Sequence, residues 1–430
     1  DDHFMPFCNH TTKYKGSGAQ AELSTDRGIF MLTIIRNIKD KMIHNDIDKV
    51  VHKNMSDSQV GASKNKGIRD HLFVMYNIIN DTNVNKQDID ISFYDVTHCF
   101  DALWTEEWGN VLYENGVTND KLAMIHEGNM KNDIAINTNY GLTDRTLVEN
   151  IVAQGGSLGP TMCRAQTDTI GKEALQRKEY IYEYNGVDIP PLAMVDDIMT
   201  ISKCGTKSVM TNGYVNTRFE MMKLQLNKKK CKQIHIGKNE KDCPTLHTGD
   251  CEMTKDNTDK YLGDIVSKDG TNKQNIQTRV SKALGSISTI MNILDEVSLG
   301  KFHFEIGILL RNSIFLSKLL LNAETWLNLT KTDIEELESV DRILLKRILQ
   351  VSNSTPDKGI YLETGSIPLR FIIQAKRIMY LHYLLRKDKS ALISQVLYSQ
   401  IENPVKNDFF STVTEDLKNL ETIQKMSKYR

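Results

Sequence analysis

Proline is scarce in this sequence, with eight residues among 430, and tracts of low complexity are lacking. Long disordered linkers are therefore not expected. The sequence also lacks an excess of basic charge, because the formal net charge is −1. A surface that binds a polyanion must therefore be a local patch of Lys and Arg rather than a field of the whole molecule.

Cysteine is sparse as well. The seven cysteines have an odd count and no paired spacing, which favours a reducing intracellular compartment, either nucleus or cytoplasm. No signal peptide is recognisable. The most apolar helical stretch, residues 302–326, is interrupted by Glu305, Arg311 and Lys318, so it predicts a buried helix rather than a membrane span. The chain begins with Asp rather than Met, so we expect it to be part of a longer protein.

Strand-like and helical patterns alternate up to about residue 270, and helical patterns follow alone. The sequence therefore predicts an α+β fold with an all-α C-terminal part. Residues 28–46, GIFMLTIIRNIKDKMIHND, have the apolar spacing of a helix, whereas DISFYD at 90–95 predicts a strand that ends in an acid. Thr332 with Glu335 predicts the capping box of a later helix.

Residues 272–294 predict an amphipathic helix. Arg279 and Lys282 are expected to face outward, where they would contact phosphates. The inward face is expected to carry Ile276, Val280, Ala283, Ile287 and Leu294.

Two adjacent acids interrupt an apolar stretch in PPLAMVDDIMTIS, residues 190–202. Because Asp is common in turns and poor inside strands, Asp196 and Asp197 predict the tip of a hairpin. Asp95 ends another apolar strand. If the strands are neighbours, the three carboxylates provide the hard oxygen ligands that two Mg²⁺ ions require in an in-line displacement. Without such cations, adjacent buried carboxylates would repel each other.

An ordered series of motifs resembles the reverse transcriptase of non-LTR (LINE-type) retrotransposons. The series is Asp26–Ile29, Ser58-Gln59-x-Gly61, Asp95-x-x-x-x-Phe100-Asp101, Gln154–Pro160, Met194–Asp197, Leu226–Cys231, and Lys260–Gly263 followed by Asp269-Gly270. The resemblance covers about residues 10–330. Four positions depart from the usual motifs: Met194, Gly159, Cys231 and the residue after Arg27, which is not proline. None of these departures removes a metal-binding carboxylate.

The resemblance implies a right-hand polymerase with fingers, a palm built from an antiparallel sheet with helices, a helical thumb, and a C-terminal helical extension. The implied boundaries are 1–90 for the fingers, 91–270 for the palm with part of the fingers near 105–150, 271–330 for the thumb and 331–430 for the extension. The implied partners are an RNA template, a DNA primer or RNA–DNA hybrid, and dNTPs. No membrane is implied.

The resemblance also implies residue roles. Asp95 and Asp196 would be the main ligands of two Mg²⁺ ions, for which Mn²⁺ can substitute, and Asp197 would support them. Lys230 would protonate the pyrophosphate leaving group. Phe100 would exclude a 2′-hydroxyl. The other implied substrate contacts are Lys13, Lys15 and Arg27 at the triphosphate, Gln154 and Gly155 near the nucleotide and template, and Leu262 and Gly263 in the primer grip.

Three alternatives remain open at the level of sequence. The first is a catalytically degenerate or domesticated copy that binds nucleic acid without polymerising. The second is an RNA-templated RNA polymerase, although Phe100 is the wrong residue for accepting ribose. The third concerns zinc, because Cys243, His247 and Cys251 resemble a metal cluster but lack the spacing of a zinc finger.

Overall fold

This computed structural model describes residues 8–14, 26–129, 132–138, 140–148, 152, 155–239, 243–296 and 302–427. Only the backbone is described for residues 8–14, 26–30, 101, 105, 132, 133, 138 and 421–427. Among the described helices, none is both long and apolar enough to cross a membrane.

The described strands all lie within the first 270 residues. Numbered in chain order, they are β1 (Cys8–Tyr14), β2 (Asp26–Met31), β3 (Ile89–Tyr94), β4 (Asn132–Thr138), β5 (Gly141–Leu142), β6 (Thr146–Val148), β7 (Tyr182–Tyr184), β8 (Val187–Ile189), β9 (Leu192–Met194), β10 (Asp197–Lys203), β11 (Lys232–Ile236), β12 (His247–Thr248), β13 (Cys251–Glu252), β14 (Thr254–Lys255), β15 (Thr258–Tyr261) and β16 (Asp264–Ser267).

Helices surround these strands and continue alone towards the C-terminus, so the predicted α+β class is confirmed. They are α1 (Ile34–Asn54), α2 (Ile68–Asn85), α3 (Cys99–Ala102), α4 (Thr105–Glu114), α5 (Asn119–Asn129), α6 (Gly159–Ala174), α7 (Thr206–Met221), α8 (Lys273–Glu296), α9 (His303–Leu310), α10 (Leu316–Leu319), α11 (Lys331–Ile348), α12 (Asp357–Thr364), α13 (Leu369–Leu385), α14 (Leu392–Glu402) and α15 (Phe409–Ser427).

One sheet joins the N-terminal strands in the order β2-β1-β4-β5, with β6 also paired to β4. The helix predicted over 28–46 is wrong at its start. Residues 28–31 belong to β2, which pairs antiparallel with β1, and α1 begins only at Ile34 after Thr33 caps it. Pairing with β1 satisfies the backbone of the β-prone run Ile29–Met31, and tertiary pairing thereby overrides the helical spacing.

The second, central sheet has the strand order β14-β11-β3-β10-β9 and positions the acids. Its middle strand β3 is buried at every residue. Ile89, Ile91 and Phe93 pack on one face with α2, α13, α14 and α15, whereas Tyr94 packs on the other with α1, α4, α6 and α7. A strand that is covered on both faces needs an almost continuous apolar sequence, which explains ISFY before Asp95.

The C-terminal helices belong to the main core instead of standing apart from it. The ring of Phe73 on α2 lies 5.8 Å from that of Tyr380 and 5.2 Å from that of Phe409. The hydroxyls of Tyr380 and Tyr383 both donate hydrogen bonds of 3.0 Å to Asp70, which also accepts the backbone N–H of Gly67 at the start of α2. Residues 369–427 therefore complete the hydrophobic layer beneath the central sheet.

The helix predicted over 272–294 is present as α8, with Ile276, Ala283, Ile287 and Leu294 buried and Lys282 exposed. The outward position predicted for Arg279 is wrong. Arg279 is buried, and its Nη2 donates to Gly263 O at 2.7 Å and to Asp264 Oδ1 at 2.5 Å. A buried guanidinium is tolerated there because a buried carboxylate faces it.

Two further helix predictions need correction. The stretch 302–326 is not one helix, because a π-helical turn at Arg311–Phe315 separates α9 from α10. In this turn Arg311 donates two hydrogen bonds of 2.6 Å to Asp341 of α11, from Nε to Oδ1 and from Nη2 to Oδ2. The capping box of α11 uses Thr330 and Asp333, two residues earlier than predicted.

Candidate active site

The two adjacent acids lie at a hairpin, as the sequence predicts. Strands β9 and β10 pair antiparallel with Met194 opposite Asp197, and Val195 with Asp196 forms the turn. Val195 has a φ of +60°, which is costly for a β-branched residue. The surroundings therefore have to hold this backbone in place.

A polar clamp, made by Gln59 and Thr167, holds the strained turn. Oε1 of Gln59 accepts the Val195 N–H at 2.9 Å, and Nε2 of Gln59 donates to Val195 O at 3.3 Å. The hydroxyl of Thr167 on α6 donates to the same carbonyl at 2.5 Å. Gly61 lies so close that a Cβ there would be 2.4 Å from Val195 N. The sequence showed Ser58-Gln59-x-Gly61 as a motif but gave no sign of this contact.

Asp95 reaches the same edge of the central sheet from the neighbouring strand. The β3–β10 register pairs Tyr94 with Ile198, so the next step places Asp95 beside Asp197. The backbone carbonyl of Asp95 accepts the N–H of Asn227 at 2.8 Å. This bond fixes the loop that carries Lys230, whose Nζ lies 3.1 Å from Oδ2 of Asp95.

The neighbouring carboxylates at this edge of the sheet affect the protonation of Asp197. Asp197 keeps an exposed flank, yet burial of its carboxyl, followed by the charges of Asp196 and Asp95, raises its pKa to about 6. The positive charge of Lys230 opposes this shift by lowering the pKa of Asp197. A like-charge neighbourhood that raises a carboxyl pKa is the pattern expected of acids that share cations.

A cleft of about 280 Å³ opens beside Asp95 and Asp197. Its wall includes Leu262, at the turn between β15 and β16, where Leu262 and Gly263 have φ of +46° and +95°. The lining also includes Lys229 and Lys260, which belong to the sequence motifs, and Lys232 and Asp259, which sequence reasoning did not single out.

The structure does not bring all the predicted residues into this cleft. Phe100, on α3, is half-buried against the core around α6 and is not among the cleft-lining residues. Gly155 is exposed with a φ of +113°. The remaining predicted contacts lie outside what the structure describes: Lys15 and Gln154 entirely, and Lys13 and Arg27 for their side chains.

The central sheet is antiparallel except at its β11–β14 edge. With its acid-bearing hairpin and the helices that follow, it has the right-hand polymerase fold of the family that matches the chain. A family model described as "Reverse transcriptase (RNA-dependent DNA polymerase)" matches residues 20–266. Because the match covers more than half of the 430 residues, the chain belongs to the reverse transcriptase family. The central sheet is therefore the palm sheet.

Solved structures show distant similarity. A truncated apo telomerase from Candida tropicalis is 12% identical, with a TM-score of 0.41, over 60% of this chain and 53% of that one. Candida tropicalis telomerase in complex with a TWJ fragment of telomeric RNA is 13% identical, with a TM-score of 0.46, over 99% and 64%. The RNA-dependent RNA polymerase of a human picobirnavirus, an insertion-loop deletion mutant, is 11% identical, with a TM-score of 0.38, over 91% and 64%.

In each of these comparisons the chain spans less than two thirds of the other protein. No curated protein matches the sequence. Because each of these TM-scores is below 0.5, the family match carries the assignment.

Proposed function

We propose that this protein is an RNA-directed DNA polymerase of a non-LTR retroelement, which adds deoxynucleotides to a primer 3′-hydroxyl on an RNA template. The observation that carries the proposal is that Asp95, directly after β3, and Asp197, the first residue of β10, lie at the same edge of neighbouring palm strands, with Asp196 in the adjoining turn. The ordered motifs in the sequence support the non-LTR type. The fingers, palm, thumb and extension boundaries given above are part of the same proposal, as is an intracellular location.

The three carboxylates fit two Mg²⁺ ions by their chemistry. Carboxylate oxygens are the hard donors that Mg²⁺ prefers, and the exposed flank of Asp197 leaves room for phosphate and water. The chemistry that two bound Mg²⁺ ions supply is activation of the primer hydroxyl and neutralisation of charge on the leaving pyrophosphate. Asp95 and Asp196 are the proposed main ligands, and Asp197 supports them.

The chain's own residues have proposed roles around these acids. Lys230, now paired with Asp95 and largely exposed, is the proposed proton donor to pyrophosphate. Leu262 at the cleft wall is the proposed primer grip together with Gly263. Template and nucleotide contacts are assigned to Lys13, Lys15, Arg27, Gln154 and Gly155 by the sequence motifs alone.

Primer extension tests the proposal. The full chain, incubated with a DNA primer on an RNA template, dNTPs and Mg²⁺, is expected to extend the primer, and Asp196→Asn is expected to abolish extension. Asp188→Asn is the matched control, because Asp188 lies on the β7–β8 hairpin and pairs with Lys178 at 2.7 Å. It should extend like the wild type.

The same assay distinguishes the alternative function. The near-neutral charge and the unusual residues Gly159 and Met194 favour a degenerate copy that binds nucleic acid without polymerising. A wild type that binds primer–template but extends it with neither Mg²⁺ nor Mn²⁺ would contradict the polymerase proposal and support that alternative.

A further inference from the structure

A second group of metal-binding side chains lies at the opposite end of the palm sheet from the acids. Asp90 is the second residue of β3, and His235 on β11 is its register partner. Cys204 follows β10 directly, and Cys243 lies on the segment between β11 and β12. Asp95 is five positions further along the chain than Asp90, so the group lies about 17 Å along the strand from the acid-bearing edge, at about 3.4 Å per residue.

The four side chains converge on one point. Their ligand atoms all lie within 4.8 Å of one another. Sγ of Cys243 is 2.8 Å from Oδ1 of Asp90, 2.9 Å from Nδ1 of His235 and 2.8 Å from Sγ of Cys204. Nδ1 of His235 is 3.1 Å from the same Asp90 oxygen. Four ligands around a tetrahedral zinc ion, with bonds of about 2.0–2.3 Å, lie roughly 3.3–3.8 Å apart, so small outward movements make room for the ion.

The group is buried and incompletely satisfied without a cation. Asp90 is fully buried, and His235 and Cys243 each keep only 7% of their surface exposed. Oδ2 of Asp90 has no hydrogen-bond partner. A buried carboxylate with an unpaired oxygen is costly unless a cation or donor meets it, so this oxygen is an independent sign that a ligand belongs at the site.

The imidazole already has the orientation that a metal ligand needs. Nδ1 of His235 faces the cluster, while Nε2 lies 3.3 Å from Oδ1 of Asp88, within ion-pair distance but not aligned for a hydrogen bond. Asp88 is itself held by Asn239, which donates its backbone N–H at 2.9 Å and its side-chain amide at 2.8 Å. A carboxylate behind the distal nitrogen is the usual arrangement for a metal-ligating histidine, because it fixes the tautomer and the ring plane.

We propose that Asp90, Cys204, His235 and Cys243 bind one Zn²⁺ ion that has a structural role. Two thiolates, an imidazole and a carboxylate complete a tetrahedral shell without an open position, as in structural zinc sites. Each thiol releases its proton when the ion binds. The ion joins the ends of β3, β10 and β11 to the Cys243 segment. The donors are softer than those of the acid edge, so the two sites select different metals.

Metal analysis of the purified full chain tests the site. Protein expressed with zinc and dialysed against metal-free buffer is expected to retain about one Zn²⁺ per chain. Cys243→Ser should retain less than one-tenth of that amount, whereas Cys251→Ser, a matched control outside the cluster, should retain all of it. Asp95→Asn should also keep its zinc, because it lies at the other end of the sheet. Zinc content below one-tenth per wild-type chain overturns the proposal.

Chelation provides a second measurement that does not depend on whether variants fold. Removing zinc from the wild type should lower the melting temperature, and Zn²⁺ but not Mg²⁺ should restore it. Asp88→Asn should weaken zinc affinity by about 10- to 100-fold. An unchanged melting temperature on chelation, or a Cys204–Cys243 disulfide found by mass spectrometry in the protein as purified under reducing conditions, contradicts the proposal. Neither result depends on polymerase activity.

Discussion

At the scale of single residues, His71 makes stability depend on pH. It is fully buried on α2, where Nε2 donates to Ser58 O at 3.0 Å and Nδ1 accepts the Tyr261 hydroxyl at 3.2 Å. Burial lowers the pKa of His71 from 6.5 to about 3. Below pH 6.5 the unfolded chain therefore binds a proton that the folded chain does not, and acid destabilises the fold.

The free energy of unfolding should fall by about 1.4 kcal/mol per pH unit on account of His71 as pH drops from about 6.5 towards 3. Urea midpoints for wild type and His71→Gln between pH 5 and 8 measure this contribution. As the pH falls, the free energy of unfolding of the wild type should decline more steeply than that of His71→Gln. The difference in slope should correspond to one proton. Parallel curves would mean that the imidazole is protonated in the folded protein.

The Asp197 carboxyl leads to a second prediction for single residues. The charge of Asp196 helps to raise the pKa of Asp197 to about 6, after burial. Removing that charge in Asp196→Asn should leave the metal-free protein as stable as the wild type or more stable, because a like-charge repulsion is relieved. Thermal unfolding in EDTA measures this. A lower melting temperature for Asp196→Asn than for wild type would contradict it.

Phe100 tests the proposed choice of sugar. If its ring packs against C2′ of a bound nucleotide, Phe100→Val should lower the preference for dNTP over rNTP by about tenfold or more, since about 1.4 kcal/mol is one factor of ten. The measurement is the ratio of kcat/KM for the two nucleotides. Phe371→Val on α13 is the control, as Phe371 is half-exposed and distant in sequence.

An unchanged ratio would assign Phe100 to packing, which agrees with its contacts to the core around α6. A wild type that prefers rNTPs would favour an RNA-templated RNA polymerase.

At the scale of elements, the Gln59–Thr167 clamp links the segment before α2 to the acid-bearing hairpin. Gln59→Leu removes both bonds to Val195. Thr167 still donates to Val195 O, but the N–H groups of Val195 and Gly61 both lose the Gln59 oxygen that accepts them, at about 1–3 kcal/mol each where they stay buried and unpaired. The strained turn should then relax, and kcat/KM for extension should fall by at least about tenfold. Gln176→Leu, at an exposed position after α6, should extend like wild type. If Gln59→Leu extends the primer as well as the wild type does, the turn keeps its conformation without the clamp.

Arg279 anchors α8 to the β15–β16 hairpin. Asp264, fully buried, also accepts hydrogen bonds of 3.0 Å from Tyr76, Asn322 and Trp326. Arg279→Met leaves that carboxylate without its charged partner and should destabilise the fold by about 3–5 kcal/mol. Lys282→Met on the exposed face should change stability by less than about 0.5 kcal/mol. Urea unfolding compares the two, and similar midpoints would contradict the role of the buried pair.

The sequence predicts those parts of the site that depend on local pattern. An apolar strand before Asp95 and paired acids between two β-prone runs are local signals, and both predictions agree with the structure. The position of Arg279 was not predictable, because the periodicity of α8 does not reveal a buried acid in another element. Of the four proposed zinc ligands, the sequence pointed only to Cys243, and it paired Cys243 with His247 and Cys251 instead of Asp90, Cys204 and His235. The reason is the same, since sheet register brings the four together and sequence spacing does not.

At the scale of the whole molecule, the C-terminal helices are part of the palm's core. A chain that ends at residue 365 would lose α13 to α15 and expose Phe73 together with the lower face of the central sheet. Such a protein should lose cooperative unfolding and bind a hydrophobic dye such as ANS. Differential scanning calorimetry of the truncated and full chains measures this. A sharp transition in the truncated chain would show that the rest of the molecule folds without these helices, and would contradict the prediction.

The distance in sequence between Phe73 and Tyr380 also has a consequence during translation. The ribosome must add about 300 residues after Phe73 before its aromatic partner emerges, which takes roughly 15–60 s at about 5–20 residues per second. Throughout that interval the apolar side of α2 has no permanent cover. Nascent chains should therefore depend on holding chaperones, and a premature stop codon between Phe73 and Tyr380 should produce an aggregating polypeptide rather than a smaller folded protein.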